Sequence, residues 1–236
     1  MENSTIRARA RENLTGNWAL SIAVAVVACL LGGMITGATF IPTISAEMTA
    51  RFPVLQELSD FLHKGVTIGR ITLGFREGVF GLSAFILGGV LQLGYATFLL
   101  KQHDGKEVSF HDLFSQFDRF GAGFVQYFLV NLYTALWGLL FVIPGIVKAL
   151  SYAMTPFLMA DNPGMSPSEA IEASQDLMDG HKMDLFILDL TFFGWNILAA
   201  MTGNLGHILL NPYRNAAYAA FYRQILAERR QQYAQH

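Results

Sequence analysis

From 13 to 46 the chain carries no Asp, Glu, Lys or Arg. An uncharged stretch of that length has few folding options. About 20 consecutive apolar residues make a helix able to cross hydrocarbon, and a helix that is apolar all round has no face to turn toward water. Three further blocks share the property: 78–100 is uncharged, 121–160 is interrupted only by Lys148, and 183–222 only by Asp184, Asp189 and Arg214. Apolar residues make up 53% of the chain and the 22 glycines raise the sum to about 62%, against about 45–50% in soluble domains. Charged residues fall to 14%. Disorder and collagen-like fibres are excluded, the lone Cys29 forbids an internal disulfide, and a net charge of −2 exerts no general pull on nucleic acid.

Two blocks are too long for one helix. At 1.5 Å per residue, 121–160 or 183–222 would reach about 60 Å, twice the thickness of hydrocarbon. Pro-Gly in Ile143-Pro144-Gly145-Ile146 reads as a turn in the first, and Gly203-Asn204-Leu205-Gly206 as a turn in the second. The expectation is one all-α domain over 1–236, a polytopic membrane bundle of about six spans. These are 18–41, 78–100, 122–143, 146–160, 183–201 and 204–224, with an outer loop at 42–77. With both termini inside, ten basic residues face inward: Arg7, Arg9, Arg11, Lys101, Lys106, Arg119, Lys182, Arg223, Arg229 and Arg230. Four face outward: Arg51, Lys64, Arg70 and Arg76. That asymmetry favours the N-in, C-in orientation. The first apolar run exceeds the usual core of a signal peptide, so a retained first span is expected.

Short amphipathic helices are expected between the spans on the inner side. Over 109–120, Phe110, Leu113, Phe114, Phe117 and Phe120 share a face, with Asp112, Gln116 and Asp118 opposite and Ser109 as N-cap. Over 166–180, Ser166, Pro167 and Glu169 make a capping box, Ala170, Ile171, Ser174, Leu177 and Met178 make the face, and Gly180 is the stop. The leader, 4–14, sets Arg7 and Arg11 one turn apart. Each ends near a glycine (Gly16, Gly121, Gly180) and precedes a helical hairpin, a positional threefold pattern. Their expected role is as struts packed under the bundle, the other reading being helices that bind headgroups. The outer loop holds another amphipathic stretch, 53–63.

No catalytic or metal-binding motif is present, so neither a catalytic residue, a metal nor a cofactor is expected, and an enzyme is disfavoured. The pairs His103-Asp104 and His111-Asp112 are too permissive to specify a cation. Polar residues at span depth are the better leads, because burial in hydrocarbon is costly unless they are paired. Asp189 lies a turn or so into the fifth span and Arg214 at matching height on the antiparallel sixth, so a pair is predicted. Lys148 is expected to snorkel from the outer end of the fourth span, the other reading being that it faces a cavity. Asn131, Asn196 and His207, with Tyr133, Asn204, Asn211 and Tyr213, add hydrogen-bonding groups that glue helices or line a pocket. Gly33 with Gly37, and Gly74 with Gly78, have the spacing of close helix approach.

Several stretches, in order, resemble a known family. They are Leu14-Thr15-Gly16-Asn17-Trp18, Gly94-Tyr95-Ala96-Thr97, 110–117, and Leu136-Trp137-Gly138-Leu139-Leu140-Phe141-Val142-Ile143-Pro144-Gly145-Ile146. Then come Lys148-Ala149-Leu150-Ser151-Tyr152, 170–180, Phe193-Gly194-Trp195 and Asn211-Pro212-Tyr213. Together they resemble the bacterial integral membrane family catalogued as domain of unknown function 975, with 42–77 as the main departure. A weaker likeness is to the membrane portion of some glycerophosphodiester phosphodiesterases, through the Ile-Pro-Gly-Ile turn and the helix after it; their hydrolase barrel is absent. The resemblance implies a bacterial plasma membrane location and supplies no activity. Two functions are therefore expected. The first is a noncatalytic bundle that binds or transports a small molecule or lipid, with membrane lipids as partners and no nucleic acid. The alternative is a membrane scaffold or accessory subunit.

Overall fold

A computed structural model of the chain describes residues 3–30, 66–68, 71–73, 75–140, 142–201 and 206–234. The fold is all-α. Among the described residues the helices are α1 (Asn3–Leu14), α2 (Trp18–Leu30), α3 (Phe75–His103), α4 (Phe120–Leu140), α5 (Val142–Tyr152), α6 (Thr155–Asp161), α7 (Pro167–Leu177), α8 (Lys182–Met201) and α9 (Gly206–Ala234). Among the described residues the only sheet is a short antiparallel pair, β1 (Val66–Ile68) and β2 (Ile71–Leu73), with Val66 opposite Leu73. The pair falls in the expected outer loop. The stretch 53–63 and the Gly33/Gly37 pair lie outside the described residues, as does Gly74.

Helix α3 is the centre. Val90, Leu91, Leu93, Tyr95, Ala96 and Phe98 have no exposed surface, so successive side chains on every side of the helix are covered. Neighbours approach it closely because it carries glycine where they cross. A Cβ on Gly89 would stand 2.1 Å from the Gly123 carbonyl oxygen of α4, and one on Gly94 1.9 Å from that of Leu113. At these two positions backbones come together.

The segment after α3 departs from the predicted single helix. It forms two 3-10 turns, Phe110–Phe114 and Phe117–Arg119, with Ser109 capping the first. Asp112, expected on the solvent side, is buried. Lys101, two turns beyond Gly94 on the same face of α3, reaches its Oδ1, and the Ser109 backbone N–H donates to its Oδ2 at 2.8 Å. Tying that carboxylate to α3 turns Phe110 and Phe117 outward instead.

Two breaks fall elsewhere than predicted. α4 ends at Leu140 and α5 begins at Val142, so Pro144 and Gly145 occupy the first turn of α5 rather than a turn before it. Proline is tolerated there because the first N–H groups of a helix have no partner within it. The expected fourth span is itself divided between Tyr152 and Thr155. Pro156 has no N–H for the Tyr152 carbonyl, and the Thr155 hydroxyl donates to that oxygen at 2.7 Å instead. Across this break, Ile143–Asp161 is the stretch of described residues with the length and mean hydropathy of a membrane-crossing helix, and half of it is buried in the molecule.

The capping box of α7 forms as its sequence predicts. The Ser166 N–H donates to Glu169 at 2.9 Å, the Ser166 hydroxyl accepts from the Glu169 N–H, and the chain turns at Gly180 with φ +81°. These bonds hold the Glu169 carboxyl below its ordinary range. Gly16 ends α1 likewise, with φ +89°, whereas Gly121 lies inside α4, so the threefold pattern does not extend to it. α1 packs along α9 through Ile6, Ala10 and Leu14, a buried stripe at every fourth residue. α7 packs beside α4, α5 and α6 in the same way.

Replacing Gly94 with Ala forces a methyl against backbone rather than a yielding side chain. Thermal unfolding in mild detergent is expected to show a loss at or above the usual overpacking cost of about 1–3 kcal/mol. Gly121→Ala, with open space around it, should be neutral or slightly stabilising on helix propensity. Equal melting of the two variants would contradict the close crossing.

Candidate functional site

Helix α9 places polar side chains at helical spacing: Asn211, Arg214 and Asn215, then Tyr218, Tyr222 and Arg223. At its middle, Arg214 donates to Asp189 Oδ1 through Nη2 at 3.0 Å and Nε at 3.3 Å. The predicted pair is therefore formed. The Tyr218 hydroxyl, one turn further on, donates to the other oxygen of Asp189 at 2.6 Å. Both oxygens are occupied, and the group is a closed neutral unit rather than a free acid or base.

A second unit lies about two and a half turns along, where sequence reasoning saw only orientation charges. Arg223 binds Asp104 in bidentate fashion, Nε to Oδ1 at 2.9 Å and Nη2 to Oδ2 at 2.7 Å, while its Nη1 donates to Asp161. The Tyr222 hydroxyl also reaches Asp161, at 3.1 Å. One guanidinium thus gathers the ends of α3 and α6 onto α9, a geometry that the planar arginine fork suits and a lysine does not. The signal was available: three charges stand just past the ends of three apolar blocks.

Lys148 does not snorkel. Its Nζ donates to Gln175 of α7 at 3.0 Å and lies over the rings of Trp137, at 5.3 Å, and Tyr152, at 5.8 Å. The Ser174 hydroxyl donates to the Ser151 carbonyl at 2.8 Å just beside it. Because α7 folds back along α5, it supplies the partners that solvent was expected to provide. Asn131 and Asn196 donate to carbonyls on their own helices, those of Tyr127 and Phe192, and so glue nothing by these bonds. His207 Nδ1 is buried and finds no partner among the described residues; Asn204 lies outside them. His103, Asp104, His111 and Asp112 do not converge. Asp104 goes to Arg223, Asp112 to Lys101 and His103 to Asn13, and His111 is exposed.

Asp189, Arg214 and Lys148 line neither of two hollows formed by the described residues. One hollow is an open acidic groove bounded by Asp161, Glu169, Glu172 and Asp176. The other is a cleft of about 560 Å³ between α1, the start of α2 and the adjoining ends of α8 and α9. Arg7 and Arg11 stand on one side of this cleft, with Trp195, Leu198 and Leu209 on the other. Tyr213, also in its wall, packs edge-on against Phe192 and donates to the Arg7 carbonyl at 3.4 Å.

Residues 139–229 match the family described as protein of unknown function (DUF975). Neither a curated protein nor a solved structure matches the chain. The DUF975 region runs from the end of α4 into α9 and so carries Lys148, Asp161, Asp189, Arg214 and Arg223. Arg7, Arg11 and Asp104 lie before it. The Asp189–Arg214 unit is therefore internal to the DUF975 region, while the Arg223 unit and the cleft join it to earlier helices.

Two measurements probe these units. In a cycle of Asp189→Asn and Arg214→Gln, unfolding should show coupling of about 1–3 kcal/mol, with partial recovery on exchanging the charges; additive losses would mean that the two act independently. The second concerns His103, whose pKa lies below its ordinary 6.5 through burial, opposed by Asp104 and assisted by Arg223 and Arg9. Asn13 Nδ2 donates to its Nδ1 at 2.8 Å, which requires that nitrogen unprotonated. The contribution is complete above 6.5 and is lost as pH falls through the lowered folded value. Melting should therefore drop from pH 7.5 to 5.5, and His103→Gln should flatten that drop.

Proposed function

We propose that this chain is a polytopic protein of the cell membrane, with about six spans and both termini inside. In this reading it is a noncatalytic bundle that binds or moves a small molecule or lipid. The observation that carries the reading is the distribution of polarity. On α8, Leu190, Phe193, Trp195 and Leu198 keep 58%, 60%, 56% and 56% of their surface open, while Leu185, Leu188 and Phe192 are buried on the other side with Asp189 beside them. Val125, Phe128, Leu132 and Leu136 form a similar exposed stripe along α4. A soluble monomer rarely leaves apolar patches of this extent facing water. In hydrocarbon the same arrangement is favourable, with charges paired inside the bundle and apolar faces outward. Helices of 21 and 20 residues, α4 and α8, reach about 30 Å, the thickness to be crossed.

The cleft beside α1 favours binding over a purely structural role. A scaffold or accessory subunit remains the second reading, supported by the way the Asp189 and Arg223 ion pairs close on themselves.

The membrane reading is tested by alkaline carbonate extraction and by cysteine labelling after Cys29→Ser removes the natural thiol. The protein should stay in the membrane pellet. Glu107→Cys and Glu228→Cys should react only once the inner side is opened, and Lys64→Cys in intact cells. Release by carbonate, or labelling of Glu107→Cys from outside, would overturn it.

A further inference from the structure

The cleft beside α1 combines two chemistries that neither a soluble anion nor a neutral lipid needs together. Arg7 and Arg11 are one turn apart, so both guanidinium groups leave the same face of α1, next to the face that Ile6, Ala10 and Leu14 press onto α9. Arg7 Nε is buried with no hydrogen-bond partner, and no Asp or Glu lines the cleft, among the described residues. A buried donor without an acceptor costs free energy, and the same arginine lines the hollow. Three basic side chains elsewhere illustrate the contrast: Lys101, Arg214 and Arg223 each have a carboxylate. Facing the arginines is a wall of Trp195, Leu198 and Leu209, each more than half exposed. The volume, about 560 Å³, falls within the range of small-molecule sites, about 300–1,000 Å³.

We propose that this cleft binds an anionic amphiphile, a phosphate ester headgroup held by Arg7 and Arg11 with its alkyl chain lying along Leu198 and Leu209. The proposal rests on the lipid-binding reading above and gives that reading its ligand class. Arginine suits the headgroup because its planar fork donates two parallel hydrogen bonds to phosphate oxygens. Trp18 and Trp195, both in the cleft wall, give it an amphipathic rim of the kind that tryptophan forms where apolar and wet surroundings meet.

The test uses the full chain in dodecyl maltoside with Trp137→Phe, so that emission comes from Trp18 and Trp195 alone. Dodecyl phosphate is titrated against dodecylphosphocholine and inorganic phosphate. Dodecyl phosphate should bind at least about tenfold more tightly than either, and Arg7→Gln and Arg11→Gln should each weaken it about tenfold, the effect of losing one charge-assisted contact. Arg9→Gln, exposed and outside the cleft, should change nothing. Equal binding of dodecylphosphocholine, or an Arg9→Gln loss as large as that of Arg7→Gln, would overturn the proposal. Equal binding of inorganic phosphate would overturn the amphiphile and point to a free anion. If Arg7→Gln fails to fold, Arg11→Gln at an exposed position carries the comparison. Flotation with phosphatidylcholine vesicles separates the two levels. A chain that does not float loses the membrane reading, while one that floats without headgroup selectivity loses only this site.

Discussion

The arrangement depends on a helix with no free side. From Val90 to Phe98, α3 buries residues in every direction, and α1, α2, α4, α6, α9 and the first 3-10 turn all pack on it. So many neighbours fit round one helix only if some come closer than side chains permit. Gly89 and Gly94 provide that closeness, at the crossing with α4 and under the Leu113 carbonyl. Close backbone approach adds packing contacts to those of large buried side chains such as Tyr95 and Phe98. The polar turn at Ser109 and Asp112 then has a fixed seat, and Lys101 has a fixed partner.

Around that centre the charges do a different task. Arg214 with Asp189, and Arg223 with Asp104 and Asp161, join helices that are not all neighbours in sequence. A charge pair taken from water contributes little net stability, but breaking one leaves an uncompensated charge and is expensive. Such pairs therefore discriminate among registers. Sliding α9 by one turn against α8 would keep much of the apolar contact and lose both oxygens of Asp189. Lys148 and Gln175 do the same for α5 and α7.

What the sequence made legible follows from how local each cause is. Ser166, Pro167 and Glu169 act within one turn, so the start of α7 could be read directly. Asp189 and Arg214 flank one hairpin, and counting residues from the expected inner ends of its two helices matched their heights. Pro156 was equally local, but its apolar surroundings hid the break it makes. Other features needed contacts between distant segments. Nothing near Asp112 announces that Lys101 will bury it, and nothing near Lys148 announces that α7 will fold back to Gln175. The cleft is assembled from α1, α2, α8 and α9, so Arg7 and Arg11 could be seen as neighbours on a helix but not as the wall of a site.

The position of α9 in the chain sets an order of events during synthesis. Every carboxylate it neutralises has already been made: Asp104 precedes Arg223 by 119 residues and Asp189 precedes Arg214 by 25. At translation rates of about 5–20 residues per second, Asp104 waits roughly 6–24 s for its counter-charge and Asp189 roughly 1–5 s. Until then Asp104, Asp161 and Asp189 lack the arginines that join their helices to α9. Helix α9 is thus the latch of the helices made before it, and Asp161 and Asp189 wait on its arginines.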